Sequence, residues 1–151
     1  MTVAFVTAAG GFLLAVLWFD LMFDVQLLRH RTGEVPEPVL ASIAGYYGRV
    51  TTGARPMNRL VALAMAATVA ALVVEVAGDD VAAWAAWLSL ALAAVPVLLA
   101  GGHTVPNAVR LGRRRDTPDR QSALARSILR DHVACLAAIA ALLVVQLVFA
   151  Q

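Results

Sequence analysis

The sequence predicts an all-α integral membrane protein, a four-helix bundle with a short amphipathic helix in its first loop. Three observations point there. The 151 residues are 61% hydrophobic, against about 45–50% apolar in a soluble domain, and mean hydropathy is +0.78. Four apolar runs are each long enough to cross ~30 Å of hydrocarbon, which takes roughly 20 helical residues. The twelve basic residues are all arginine and fall in two blocks.

The first span covers about 3–28. Its first 19 residues contain no Lys or Arg, so the run lacks the basic start of a signal peptide and reads as a retained transmembrane helix. The second span, about 57–77, follows Pro56. The third covers about 81–105. The fourth covers about 122–149 and lies within a longer helix, for which Thr117 supplies an N-cap and Pro118 the first position. Sustained alternation is absent, which excludes membrane strands. Length gives a single domain, 1–151. Span two is rich in small residues and span one carries Gly10 and Gly11, so close helix packing is expected.

Charge then orients the bundle. Arg29, Arg31, Arg49, Arg55 and Arg59 follow span one. Arg110, Arg113, Arg114, Arg115, Arg120, Arg126 and Arg130 follow span three. The turn between spans two and three is read as holding Glu75, Asp79 and Asp80 and no base. The positive-inside rule places both arginine loops in the cytoplasm and both termini outside. The lack of lysine, with heavy use of Ala, Val, Leu and Gly, suggests a GC-rich bacterial genome and hence the inner membrane. Trp84 and Trp87 sit where an outer aromatic belt is expected. In the first loop, Val39, Ile43, Tyr46, Tyr47 and Val50 recur at helical spacing after Pro36 and Pro38, predicting an amphipathic helix at the interface or capping the bundle.

Composition excludes some chemistry. Cys135 is the only cysteine, so no intramolecular disulfide or CxxC site can form. Glu-x-x-His and HExxH patterns are missing. The run Arg113–Arg115 lacks interleaved aromatics and is assigned to topology and anionic lipid rather than nucleic acid.

Ionisable residues inside a span cost about 2.5–3.5 kcal/mol at mid-bilayer and normally face a partner or water. Asp20 and Asp24 share one face of span one. Asp20 precedes Arg29 by nine residues, or ~13 Å of helix. His103 and Asn107 lie at the end of span three, and Arg130, Asp131, His132 and Cys135 in the first turns of span four. With the spans so directed, all meet at one depth. Three readings of the constellation follow. It could form a pocket for proton chemistry on a lipophilic ring, with Asp20, Asp24, Asp131 and His132 as base candidates and Arg130, Asn107, His103 and Trp18 contacting substrate. It could be a structural lock in which Asp20 or Asp24 pairs with Arg59, Arg126 or Arg130. It could hold a divalent metal.

The stretch "HTVPNAVRLG", followed by "RSILRDHVACLAAIAALL", resembles the anthrone oxygenase-like family of small four-span bacterial membrane proteins. Val105, Pro106 and Asn107 stand where that family closes its third span, and Arg126, Arg130 and His132 where its fourth opens. The resemblance covers roughly residues 95–145. It implies oxidation of an activated ring carbon by dioxygen with no tightly bound cofactor, with His132, Asp131 or Asp20 as base and Arg130 and Asn107 as stabilisers. Expected partners are membrane lipids and a small lipophilic substrate, with a second copy or another membrane subunit as a further candidate. The alternative function is a non-catalytic accessory or assembly subunit whose intramembrane charges are structural.

Overall fold

The computed structural model describes residues 1–150; Gln151 and the side chain of Arg55, a member of the first arginine block, lie outside the described residues. Helix α1 spans Thr2–Asp24 and tightens into a 3₁₀ turn over Val25–Arg29. Helix α2 is Glu37–Gly48, α3 Arg55–Ala77, α4 Ala83–Leu99, α5 Val105–Gly112 and α6 Pro118–Val148. No strand occurs among the described residues. Four helical stretches are long and apolar enough to cross a membrane: Thr2–Arg29, Pro56–Ala77, Ala83–Gly112 and Pro118–Val148.

The bundle is covered with apolar side chains, as a lipid-facing surface requires. Phe5, Phe19, Met22, Leu63, Leu98, Val144 and Leu147 all point outward, far more apolar surface than a water-facing monomer tolerates. Trp84 and Trp87 are exposed near the start of α4, and Trp84 meets Phe149 edge to face at 5.2 Å.

Helix boundaries follow local chemistry. Pro118 sits in the first turn of α6 and Pro56 in that of α3, where a missing N–H costs nothing. Between α4 and α5 the chain does not break. It widens into a π turn over Ala100–Thr104, in which the Val105 N–H reaches back to Ala100 O. Pro106 has no N–H to give the carbonyl four residues back, which favours this wider turn. A second π turn, Arg49–Gly53, precedes Pro56, and there Ala54 N–H bonds Arg49 O. The stretches "ARPMNRL" (54–60) and "TVPNAVRL" (104–111) are faintly alike in sequence, and the likeness extends to the backbone, since each adjoins a π turn. Span three is longer at its C-terminal end than the expected 81–105, because the helix runs through Pro106 to Gly112.

Helix α2 forms as its periodicity predicts and caps one end of the bundle. It turns Leu40, Ile43, Ala44 and Tyr47 inward against Leu27, Ala108, Leu111, Leu124 and Ile128. Burying Ile43, Leu111 and Ile128 completely contributes roughly 1.5–3 kcal/mol each. That cluster draws together α2 and the loop-side ends of α1, α5 and α6, so both arginine loops lie at one end. Two glycines permit the closest approach there. A Cβ on Gly112 would sit 2.8 Å from Gly48 N, where no real side chain fits. Of the pair in span one, Gly10 faces Leu143 closely, with a built Cβ 2.9 Å from Leu143 Cδ2, while Gly11 faces open space.

Arg126 fastens the α1–α2 connection by donating to His30 O at 3.2 Å and Gly33 O at 2.9 Å. Ser122 Oγ accepts from Val35 N–H at 2.9 Å and donates to Pro118 O. Glu75 is not in the acidic turn. It lies within α3, only 4% exposed, because the helix continues two residues beyond it.

Candidate functional site

Tyr46 and Tyr47 are consecutive on α2, so their hydroxyls reach different targets on α1. The Tyr47 hydroxyl donates to Asp24 Oδ1 at 2.7 Å, and the Tyr46 hydroxyl to Asp20 Oδ1 at 2.7 Å. The Tyr46 ring stacks on Phe23 at 4.0 Å. Burial first, and then Asp24 and Asp20, push the Tyr47 hydroxyl far above its ordinary range. It therefore stays a donor at any physiological pH.

Asp24 is fully buried. Its second oxygen, Oδ2, lies 2.7 Å from His132 Nδ1. This contact commits Nδ1 and leaves the opposite ring nitrogen on the Asp20 side, with His132 Nε2 3.9 Å from Asp20 Oδ2. Four residues on α1, one helical turn, thus set the two acids on the two edges of one imidazole. When Asp24 accepts the Nδ1 proton, Nε2 becomes the free lone pair.

A cavity of about 150 Å³ adjoins this imidazole, reaching all four spans. Leu17, Val61, Met65 and Ile139 make most of its wall apolar, while Asp20, Thr104, His132 and Cys135 are its polar contributors. A cavity near 150 Å³ accepts a benzene-sized ring.

A second His–Asp pair stands back to back with the first. Asp131, the neighbour of His132, points to the π turn instead of α1. His103 Nδ1 lies 2.6 Å from Asp131 Oδ2, and Thr104 Oγ1 donates to the same oxygen at 2.9 Å. The extra residue in the π turn lets consecutive side chains converge on one acceptor. Ser127 Oγ lies 3.4 Å from His103 Nε2.

The structure thus brings Asp20 and His132 to the cavity wall, with Asp24 buried behind the imidazole, and pairs Asp131 with His103 nearby. It does not bring Arg130, Asn107 or Trp18 to the cavity wall. Arg130 is exposed, Asn107 half-buried on α5, and Trp18 exposed on α1. Among the described residues neither Asp20 nor Asp24 meets an arginine, so the Asp–Arg lock, one of the three readings, does not form, and tyrosine and histidine are the partners instead. The ion pairs formed by arginines are at the loop end: Arg110 with Asp116 at 2.6 Å, and Arg114 with Glu37. Among the described residues, no group of three or more His, Cys, Asp or Glu side chains is placed to hold a metal ion.

Sequence reasoning missed Tyr46, Tyr47 and Ser127 as partners, and one whole cluster. At the far end of the bundle, Gln146 Nε2 donates to Glu75 Oε2 at 2.9 Å and to Ser89 Oγ at 3.0 Å. All three residues are buried. The signal was available: Glu75, Ser89 and Gln146 are each polar residues within two turns of the span end remote from the arginine loops.

No protein-family model, curated protein or solved structure matches this chain.

Proposed function

We propose that the chain is a small membrane enzyme that removes a proton from a lipophilic aromatic substrate held in the four-helix cavity. His132 Nε2 is the base, and Asp24 fixes its tautomer through Nδ1. The single observation that carries this reading is the 2.7 Å Asp24–His132 contact on an imidazole whose other edge borders an apolar, ring-sized cavity. It is the acid–imidazole relation of hydrolytic triads without the serine. Asp20, oriented by Tyr46, is close enough to stabilise the imidazolium that forms. The resemblance of residues 95–145 to anthrone oxygenase-like proteins adds dioxygen as the acceptor of the resulting carbanion and requires no tightly bound cofactor. The arginine loops are assigned to the cytoplasm of a bacterial cell and both termini to the outside. In this orientation the cavity opens at the depth of the inner leaflet.

A second reading, a non-catalytic accessory subunit, is favoured by the exposed Arg113, Arg115 and Arg120 around the second loop, a surface suited to anionic lipid or an acidic partner.

Mass spectrometry of small molecules that co-purify in detergent separates the two. An aromatic ligand retained by wild type and lost on Val16→Trp, which fills the cavity wall, supports the enzyme. The same lipid profile from both proteins favours the accessory subunit.

A further inference from the structure

The second His–Asp pair extends to a nucleophile. Ser127 lies one helical turn before Asp131 on α6, and its Oγ is 3.4 Å from His103 Nε2, while His103 Nδ1 is 2.6 Å from Asp131 Oδ2. Some helix hydroxyls in the bundle turn back onto their own backbone: Thr68 donates to Ala64 O and Ser122 to Pro118 O. The Ser127 hydroxyl faces the histidine instead. Thr104 donates to the same Asp131 oxygen, holding the carboxyl that would orient His103. Nucleophile, base and orienting group thus stand in the order that acyl-transfer sites use, at distances usual before substrate tightens them.

We propose that Ser127, His103 and Asp131 form a second site, one that hydrolyses a carboxylic ester of a membrane-dissolved acyl chain. The Ser127 Oγ attacks the ester carbonyl carbon and passes its proton to His103 Nε2. The oxyanion that forms faces Arg130, three residues along α6 on the adjoining flank. Arg130 is exposed, with no hydrogen bond or ion pair to another described side chain. The carbon–oxygen bond to the leaving alcohol breaks, and that alcohol takes the proton from His103. Water then attacks the acyl-Ser127 ester, again with His103 as base, releasing the acid and restoring the serine. Ser127 and His103 are catalytic residues. Asp131 is a positioning residue.

The surroundings select the substrate class. Gly101 and Gly102 are exposed and leave open space beside His103. Ala123 and Ala134 continue the exposed flank of Ser127, and Leu98 and Val105 are exposed near the π turn. An acyl chain can lie along this apolar surface. Ser127 is nine residues beyond Pro118, ~13 Å up the helix, close to where the apolar run begins. Ser127, His103 and Asp131 do not line the His132 cavity, because Asp131 and His132 face different helices, although Thr104 borders both.

The test uses the full chain in detergent micelles, with a fluorophosphonate probe and p-nitrophenyl laurate. Wild type should be phosphonylated on Ser127 and hydrolyse the ester. Ser127→Ala and His103→Ala, at accessible positions, should each elute and melt as wild type and lose hydrolysis by about 10³-fold or more. Asp131→Asn should lower kcat with KM unchanged, where a merely structural role would move KM and melting temperature together. A wild-type protein that is neither labelled nor active overturns the proposal, as does Ser127→Ala labelled or active at the wild-type level. An Asp131→Asn effect confined to KM overturns its positioning role.

Discussion

Replacing Tyr47 with phenylalanine removes one oxygen and leaves the ring, so it isolates what the hydroxyl does for Asp24. Tyr47 is 2% exposed and Asp24 0%. Water therefore cannot replace the lost donor without opening the packing of α2 against α1 and α6. The deleted bond is 2.7 Å long, a hydrogen bond to an acidic group, which contributes about 1.5–3 kcal/mol. The 3.4 Å contact to His132 Nδ1 is too long to add much. The expected loss is about 2 kcal/mol, or roughly 30-fold in the folding equilibrium. Tyr46→Phe is the internal control. Its partner Asp20 has a side chain 17% exposed and borders the cavity, so water can take over, and the loss should be about 1 kcal/mol or less. Unfolding in mixed micelles with increasing denaturing detergent measures both. Equal losses from the two variants, or none from Tyr47→Phe, would refute the reasoning that a buried acid depends on this one hydroxyl.

Other perturbations have equally definite outcomes. Gly112→Val should destabilise by about 1–3 kcal/mol through overpacking against Gly48. Gly48→Ala, whose Cβ finds ordinary contact at 3.6 Å, should cost less in the same unfolding assay. Arg126→Ala frees the His30 and Gly33 carbonyls; limited proteolysis should then cut the 29–34 segment faster than in wild type, with Arg126→Lys intermediate. Gln146→Leu leaves the buried Glu75 without its donor and should cost about 1–3 kcal/mol. Glu75→Leu combined with Gln146→Leu should recover most of that loss, because both partners become apolar. Acid should loosen the second loop. Arg110 hydrogen bonds hold the Asp116 carboxyl below its ordinary value. The stabilisation is present above the unfolded-state pKa of about 3.9 and is lost as pH falls through the lower folded value. A fall in amide protection factors at 113–117, taken relative to the intrinsic rate at each pH, on acidification through that range checks it, and Asp116→Asn should abolish the dependence.

The spans, the capping helix and the shared depth of the acids were legible because each rests on a property that a linear pattern records: run length, a 3.6-residue period, or counting along a helix from a fixed edge. The rotation of each span was not legible. Apart from the Asp20 and Asp24 face, helix α1 is apolar on every side, so its sequence marks which face turns inward but not which neighbouring helix that face meets. Asp24 pairs with Tyr47 and His132, where pairing with an arginine is one of the readings the sequence leaves open. The same ambiguity left Trp18 on the lipid surface and Arg130 outside the cavity. Tyr46 and Tyr47 were correctly read as one amphipathic face, but the pattern registers only their rings as apolar, and their hydroxyls make the site. Ser127 became visible only once the π turn before Pro106 brought His103 beside it. Glu75 was assigned to a turn because Asp79 and Asp80 follow closely, although the helix had two residues left to run.

Dioxygen uptake with an anthrone-type phenol, followed for wild type and His132→Gln in the same micelles, tests the central claim most directly. Glutamine keeps the size and polarity of the position and removes the base. General-base catalysis contributes about 10²–10⁴-fold, so uptake should fall by that factor while the cavity still retains the phenol. Uptake by His132→Gln at the wild-type rate, or a wild type no faster than empty micelles, would contradict a base at His132.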